Sequence, residues 1–88
     1  MEFVYILHSE KDGKLYIGFT NNISRRIEEH NLGRVPATKG RRPLVLVHLE
    51  DYLDRKQAAE REKFLKSGQG REFLKDFLNI YMPKWRNW

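Results

Sequence analysis

Five polar side chains stand at positions where a packed core would take apolar ones: Tyr5, Tyr16, Arg26, His30 and Glu62. Their groups are those from which a reactive site is assembled. A phenol or an imidazole can move a proton, a guanidinium can clamp an anion, and a carboxylate can hold a cation. Each also has an ordinary structural reading. Tyrosine favours strands, an arginine stem covers apolar surface, and a single histidine is commonly a satisfied neighbour. A carboxylate near a core pairs with a cation, for which Arg26 and Arg61 are the available partners of Glu62. The sequence has no histidine cluster of metal-binding spacing, no paired-carboxylate glycosidase pattern and no phosphate-cradling glycine loop. A single glutamate suits magnesium, which leaves most of its coordination sites to water and substrate phosphate.

The elements that position these groups follow from hydrophobic period and turn chemistry. Residues 3–8 and 14–19 read as two strands around Asp12-Gly13, a hairpin signal. An even loop centred there sets Tyr5 opposite Thr20 and Ser9 opposite Tyr16. Phe3, Tyr5 and Leu7 then share a face with Tyr16, Gly18 and Thr20, while Val4, Ile6, Leu15, Ile17 and Phe19 form a wholly apolar core face. Residues 22–31 read as a helix capped by Asn21 or Asn22 and ended by Asn31 and Gly33. Its inward stripe is Ile23, Arg26, Ile27 and His30, with Arg25, Glu28 and Glu29 outside.

Residues 34–43 form a basic loop carrying Arg34, Lys39, Arg41 and Arg42. The apolar run 44–50 reads as a third strand, expected at the centre of the sheet. Asp54, with Gln57 behind it, caps a helix over 55–66 whose Ala58, Glu62 and Leu65 share one stripe. Ser67-Gly68 stops that helix, and 71–81 is a final amphipathic helix ended before Pro83. The fold class is α/β (α+β): a small three-stranded, mainly antiparallel sheet flanked by helices in the order β-β-α-β-α-α.

A chain of 88 residues makes one domain, 1–88. Hydrophobic content of 40% suits a globular domain, and the absence of cysteine excludes disulfides, thiolate zinc sites and a thiol nucleophile. It fits a cytoplasmic protein. No apolar run approaches the ~20 residues of a membrane span, so no membrane partner is expected. Glu2 and His8 break any signal-peptide pattern, so the mature protein is expected to begin at Met1. A net charge of +5 favours a polyanionic partner, of which nucleic acid is the usual one.

With those residues in place, the sequence resembles the GIY-YIG nuclease family over most of its length. "VYI" at 4–6 stands at the first motif, "YIG" at 16–18 is the second motif intact, and "YIGFTNNISRRIEEHN" looks like the segment leading into the family's catalytic helix. Arg26 matches the family arginine, His30 the frequent histidine after it, and Glu62 in "AAEREKFLK" the metal-binding glutamate. "SGQGREFLK" resembles a stretch of small standalone bacterial members akin to the N-terminal nuclease domain of the excinuclease C subunit. Two positions depart from the pattern: Val4 replaces a glycine, and Phe19 replaces a lysine or small polar residue. Asn79 and Asn87 are both candidates for the family asparagine.

The resemblance implies a metal-dependent DNA endonuclease of repair or recombination. Glu62 would hold Mg2+ or Mn2+, Tyr5 or Tyr16 would orient or deprotonate water, Arg26 would clamp the scissile phosphate, and His30 would relay a proton or bind a phosphate. Gly18 would leave room for the substrate, Lys39, Arg41 and Arg42 would contact DNA, and a protein partner could supply targeting. One alternative is a non-catalytic nucleic-acid-binding module with the same fold. Another is a protein-interaction module anchored by Trp85 and Trp88.

Overall fold

A computed structural model describes residues 1–81, with side chains described through Asp76. Strands β1 (Glu2–Ser9) and β2 (Leu15–Thr20) form an antiparallel hairpin. Ser9 closes it. Its N–H donates to the Lys14 carbonyl at 2.9 Å, and its hydroxyl oxygen accepts from the N–H groups of Lys11 and Asp12 at 3.2 and 3.1 Å. Gly13 takes φ +72°, a conformation that costs glycine little. Because Ser9 lies opposite Lys14, Tyr5 faces Gly18 and Phe3 faces Thr20. The expected register, with Tyr5 opposite Thr20, is therefore corrected by two residues. An even slip leaves every side chain on its expected face.

Strand β3 (Leu44–Tyr52) pairs with the other side of β1, giving the order β2-β1-β3. The central strand is β1, which is buried from Val4 to Ser9. The expectation of a central β3 is thus overturned, and a bulge explains the misleading pattern. Ile6 pairs with His48 but Leu7 pairs with Leu46, so Val47 is inserted and the facing of β3 changes there. Its continuous apolar run comes from a change of face, not from burial on both sides.

Helix α1 (Ile23–Asn31) covers the Tyr5 face. Asn22 caps it, its side-chain oxygen accepting from the Arg25 N–H at 3.1 Å. Ile23 and Ile27 pack on Tyr5, Leu7 and Leu44. The opposite face is covered by α2 (Arg55–Lys66) and α3 (Gly68–Tyr81), where Val4, Ile6, Ala58, Leu65 and Leu74 form the larger core. Asp54 caps α2 by accepting from the Gln57 N–H at 2.8 Å. Helix α3 begins earlier than expected because the Ser67 hydroxyl oxygen accepts from the Gly70 N–H at 3.2 Å, a cap directly after α2. A single 3-10 turn spans Lys39–Arg41 in the basic loop.

No helix among the described residues is long and apolar enough to cross a membrane. Asn87, Trp85 and Trp88, and the side chain of Asn79, lie outside the described residues.

Candidate active site

The sheet brings Tyr5 and Tyr16 together by register: Tyr16 sits opposite Leu7 and Tyr5 opposite Gly18, so both phenols rise from the α1 face. Their ring centroids are 6.4 Å apart. One turn of α1 separates Arg26 from His30, and both turn toward the sheet. His30 completes the cluster, 5.7 Å from the Tyr5 ring and 5.0 Å from the Tyr16 ring, edge-on to each.

Tyr5 is the hub. Its hydroxyl lies 2.9 Å from His30 Nε2 and accepts from Arg26 Nε at 3.4 Å. The other His30 nitrogen, Nδ1, lies 2.7 Å from Thr38 Oγ1. Burial, followed by the nearby Arg26 charge, holds the imidazole down at about 4. A neutral imidazole at pH 7 has one donor and one acceptor nitrogen. The arrangement that satisfies all three groups has Tyr5 O–H donating to Nε2 and Nδ1–H donating to Thr38. Burial is also the main cause that raises the Tyr5 pKa; Tyr16 and the Glu62 carboxylate add to it, against the opposing hydrogen bond from Arg26.

Gly18 is explained by this hub. A Cβ added there would stand 2.5 Å from the Tyr5 hydroxyl oxygen. The expectation that Gly18 leaves room for substrate is corrected: Gly18 is buried, and the phenol of Tyr5 fills the space above it. Thr38 is the residue that sequence reasoning missed. A threonine before a short helical turn reads as a cap, but this one makes no side-chain cap and spends its hydroxyl on His30.

Glu62 comes from the far side of the sheet, on α2. Its Oε2 pairs with Lys66 Nζ at 3.4 Å. Neither partner expected from sequence takes it. Arg61 makes a two-pronged bond to Glu50 at 2.9 and 3.0 Å, and Arg26 reaches Glu29 at 3.1 Å. No group of three or more His, Cys, Asp or Glu side chains able to enclose a metal occurs among the described residues. Glu62 keeps 22% of its side chain exposed and one oxygen outside the lysine pair, which fits a hard cation held by one carboxylate, water and phosphate.

The basic loop divides between two surfaces. Arg41 donates to Asp12 at 2.7 Å and to the Leu15 carbonyl at 3.2 Å, so it braces the hairpin. Its guanidinium holds the Asp12 carboxyl down at about 2. Arg42 donates to the Lys39 carbonyl at 2.8 Å and lies over Gly33. Lys39 and Arg42 line a shallow hollow with Lys11, whereas Arg41 lines a different cleft beside β2. Phe19 points to the α2 side, where the Arg55 guanidinium stands 5.1 Å from its ring centroid.

The GIY-YIG catalytic domain family matches residues 1–74. The chain belongs to this nuclease family. Its sequence is 42% identical to a UPF0213 protein of Desulfotalea psychrophila over 94% of this chain and 83% of that one. It is 40% identical to a UPF0213 protein of Staphylococcus haemolyticus over 83% of this chain and 89% of the relative. The solution NMR structure of a UPF0213 protein from Bacillus halodurans is similar at a TM-score of 0.54 and 31% identity, covering 99% of this chain and 93% of that one. The matches span 83% to 93% of the length of these relatives.

Proposed function

We propose that this GIY-YIG domain is a metal-dependent endonuclease that hydrolyses DNA phosphodiester bonds in cytoplasmic repair or recombination, with a protein partner supplying targeting. The observation that carries this reading is the convergence of Tyr5, Tyr16, Arg26 and His30 around one phenol. Glu62 would hold Mg2+ or Mn2+, and the bound cation would supply Lewis acidity toward phosphate and the leaving oxygen. Arg26 clamps the scissile phosphate, and its Nε–H bond to Tyr5 sets the direction of the guanidinium.

The two phenols have different tasks. Tyr5 is 1% exposed and enclosed by His30 and Arg26, so it positions the arginine and holds its own proton in the hydrogen bond to Nε2. Tyr16 is half-buried and opens onto the cleft, so it meets the attacking water. A free phenol has a pKa of about 10.

The test is cleavage of branched, nicked, single-stranded and plain duplex DNA with Mg2+ or Mn2+, wild type beside Glu62→Gln. Metal-dependent cutting that disappears in the variant, with DNA affinity retained, is the expected result. Equal cutting by both proteins removes Glu62 from the metal site. DNA binding without cutting by either protein favours a non-catalytic binding module.

A further inference from the structure

A cleft of about 380 Å3 runs along the free edge of β2, between the hairpin and the α2–α3 corner. Its floor is apolar, with Leu15 and Ile17 backed by Leu65 and Leu74, and its walls carry Lys14, Arg41, Lys66 and Arg71. No carboxylate lines it among the described residues. Two of the cations are engaged at its margins, Arg41 with Asp12 at 2.7 Å and Lys66 with Glu62 at 3.4 Å. Lys14 and Arg71 are exposed and make no ion pair among the described residues, so the cleft holds uncompensated positive charge. Tyr16 lines the cleft as well, and Lys66 links it to Glu62. The cleft therefore borders the candidate active site at Tyr16.

We infer that this cleft holds one unpaired nucleotide of the DNA strand next to the scissile phosphate, its base on the Leu15–Ile17 floor and its phosphate between Lys14 and Arg71. The identity of the ligand rests on the nuclease reading above; the fit rests on the cleft itself. Its volume lies at the small end of the range for ligand pockets and accommodates one nucleotide. A base offers its face to an apolar floor only when it is unstacked, and cationic walls take phosphate from any sequence. The protein is thus built for single-stranded segments, frayed ends or branch points in preference to continuous duplex.

The experiment measures fluorescence anisotropy with a labelled oligo-dT and a blunt duplex of equal length, in EDTA so that no strand is cut. Wild type should bind the single strand at least about tenfold more tightly than the duplex. Lys14→Glu/Arg71→Glu should lose about tenfold in single-strand affinity. Lys56→Glu/Lys63→Glu, which changes net charge equally at exposed positions outside the cleft, should lose much less. Titration of oligo-dT should shift the NMR methyl signals of Leu15 and Ile17, in variants checked for folding by circular dichroism.

Equal or tighter duplex binding overturns the inference, as does equal loss in the two charge-reversed pairs or methyl shifts only outside the cleft. The assay separates the two readings. Single-strand binding in the cleft with no cleavage of any DNA removes the nuclease and keeps the cleft. Metal-dependent cleavage that prefers blunt duplex keeps the nuclease and removes the cleft.

Discussion

At the scale of single residues, the chain Arg26–Tyr5–His30–Thr38 has measurable consequences. His30 titrates at about 4 in the fold, against about 6.5 for an ordinary histidine. The unfolded chain therefore takes up a proton below pH 6.5, while the folded protein does not until about 4. Stability contributed by neutral His30 is complete above 6.5 and is lost as pH falls toward 4, roughly 3 kcal/mol at most. Urea melts of wild type and His30→Gln at pH 4 to 7 should show a stability gap that narrows with falling pH; a constant gap would show that His30 does not titrate this way.

Gly18 tests the same hub from below. Gly18→Ala presses a methyl against the Tyr5 hydroxyl and ring, and should cost about 1–3 kcal/mol. Adding Tyr5→Phe removes the nearest atom, so the double variant should be more stable than the sum of the single effects predicts. Simple additivity would leave the exclusion to the ring, whose Cζ stands 2.6 Å from that position. The sequence marked Tyr5, Tyr16, Arg26 and His30 through their period on strand and helix. Thr38 carried no such mark, because its role depends on where the loop folds back.

At the scale of elements, each helix is fixed by a cap and a close packing contact. The turn from α2 into α3 depends on Gly70, where an added Cβ would collide with the Phe64 carbonyl and with Leu65 Cα. Backbone cannot yield as a flexible side chain does, so Gly70→Ala should destabilise more than Gly18→Ala, by about 3 kcal/mol or more, measured by thermal melting. A smaller cost would mean that the two helices can part without disturbing the core. Strand β3 is fastened to α2 by Glu50, which accepts from Arg61, His48 and Tyr52. These bonds outweigh its burial and hold the carboxyl down at about 2. Helix positions and the Asp54 cap were readable because local sequence sets them. The β3 bulge and the order of strands were not, since both are settled by pairing between distant segments.

At the scale of the whole molecule, the net charge of +5 matters through its placement. Binding to single-stranded DNA should weaken with added salt, each neutralised phosphate contributing about 0.7 to the slope of log affinity against log salt. Anisotropy titrations over a range of salt check this, and an affinity indifferent to salt would argue against phosphate contact. The basic loop announced itself as a run, yet the fold sends Arg41 to one surface and Lys39 with Arg42 to another. Conversely, Lys14, Lys66 and Arg71 are scattered in sequence and meet at one cleft. By itself the sequence determined the elements, the two faces of the hairpin and the family, because period, caps and motif spacing are local. Only the tertiary structure decided that β1 is central, that Gly18 serves Tyr5, that Glu62 pairs with Lys66 and that Lys14 and Arg71 meet at the β2 edge. Each of these depends on which distant groups come within a few ångströms, and no local pattern encodes that distance.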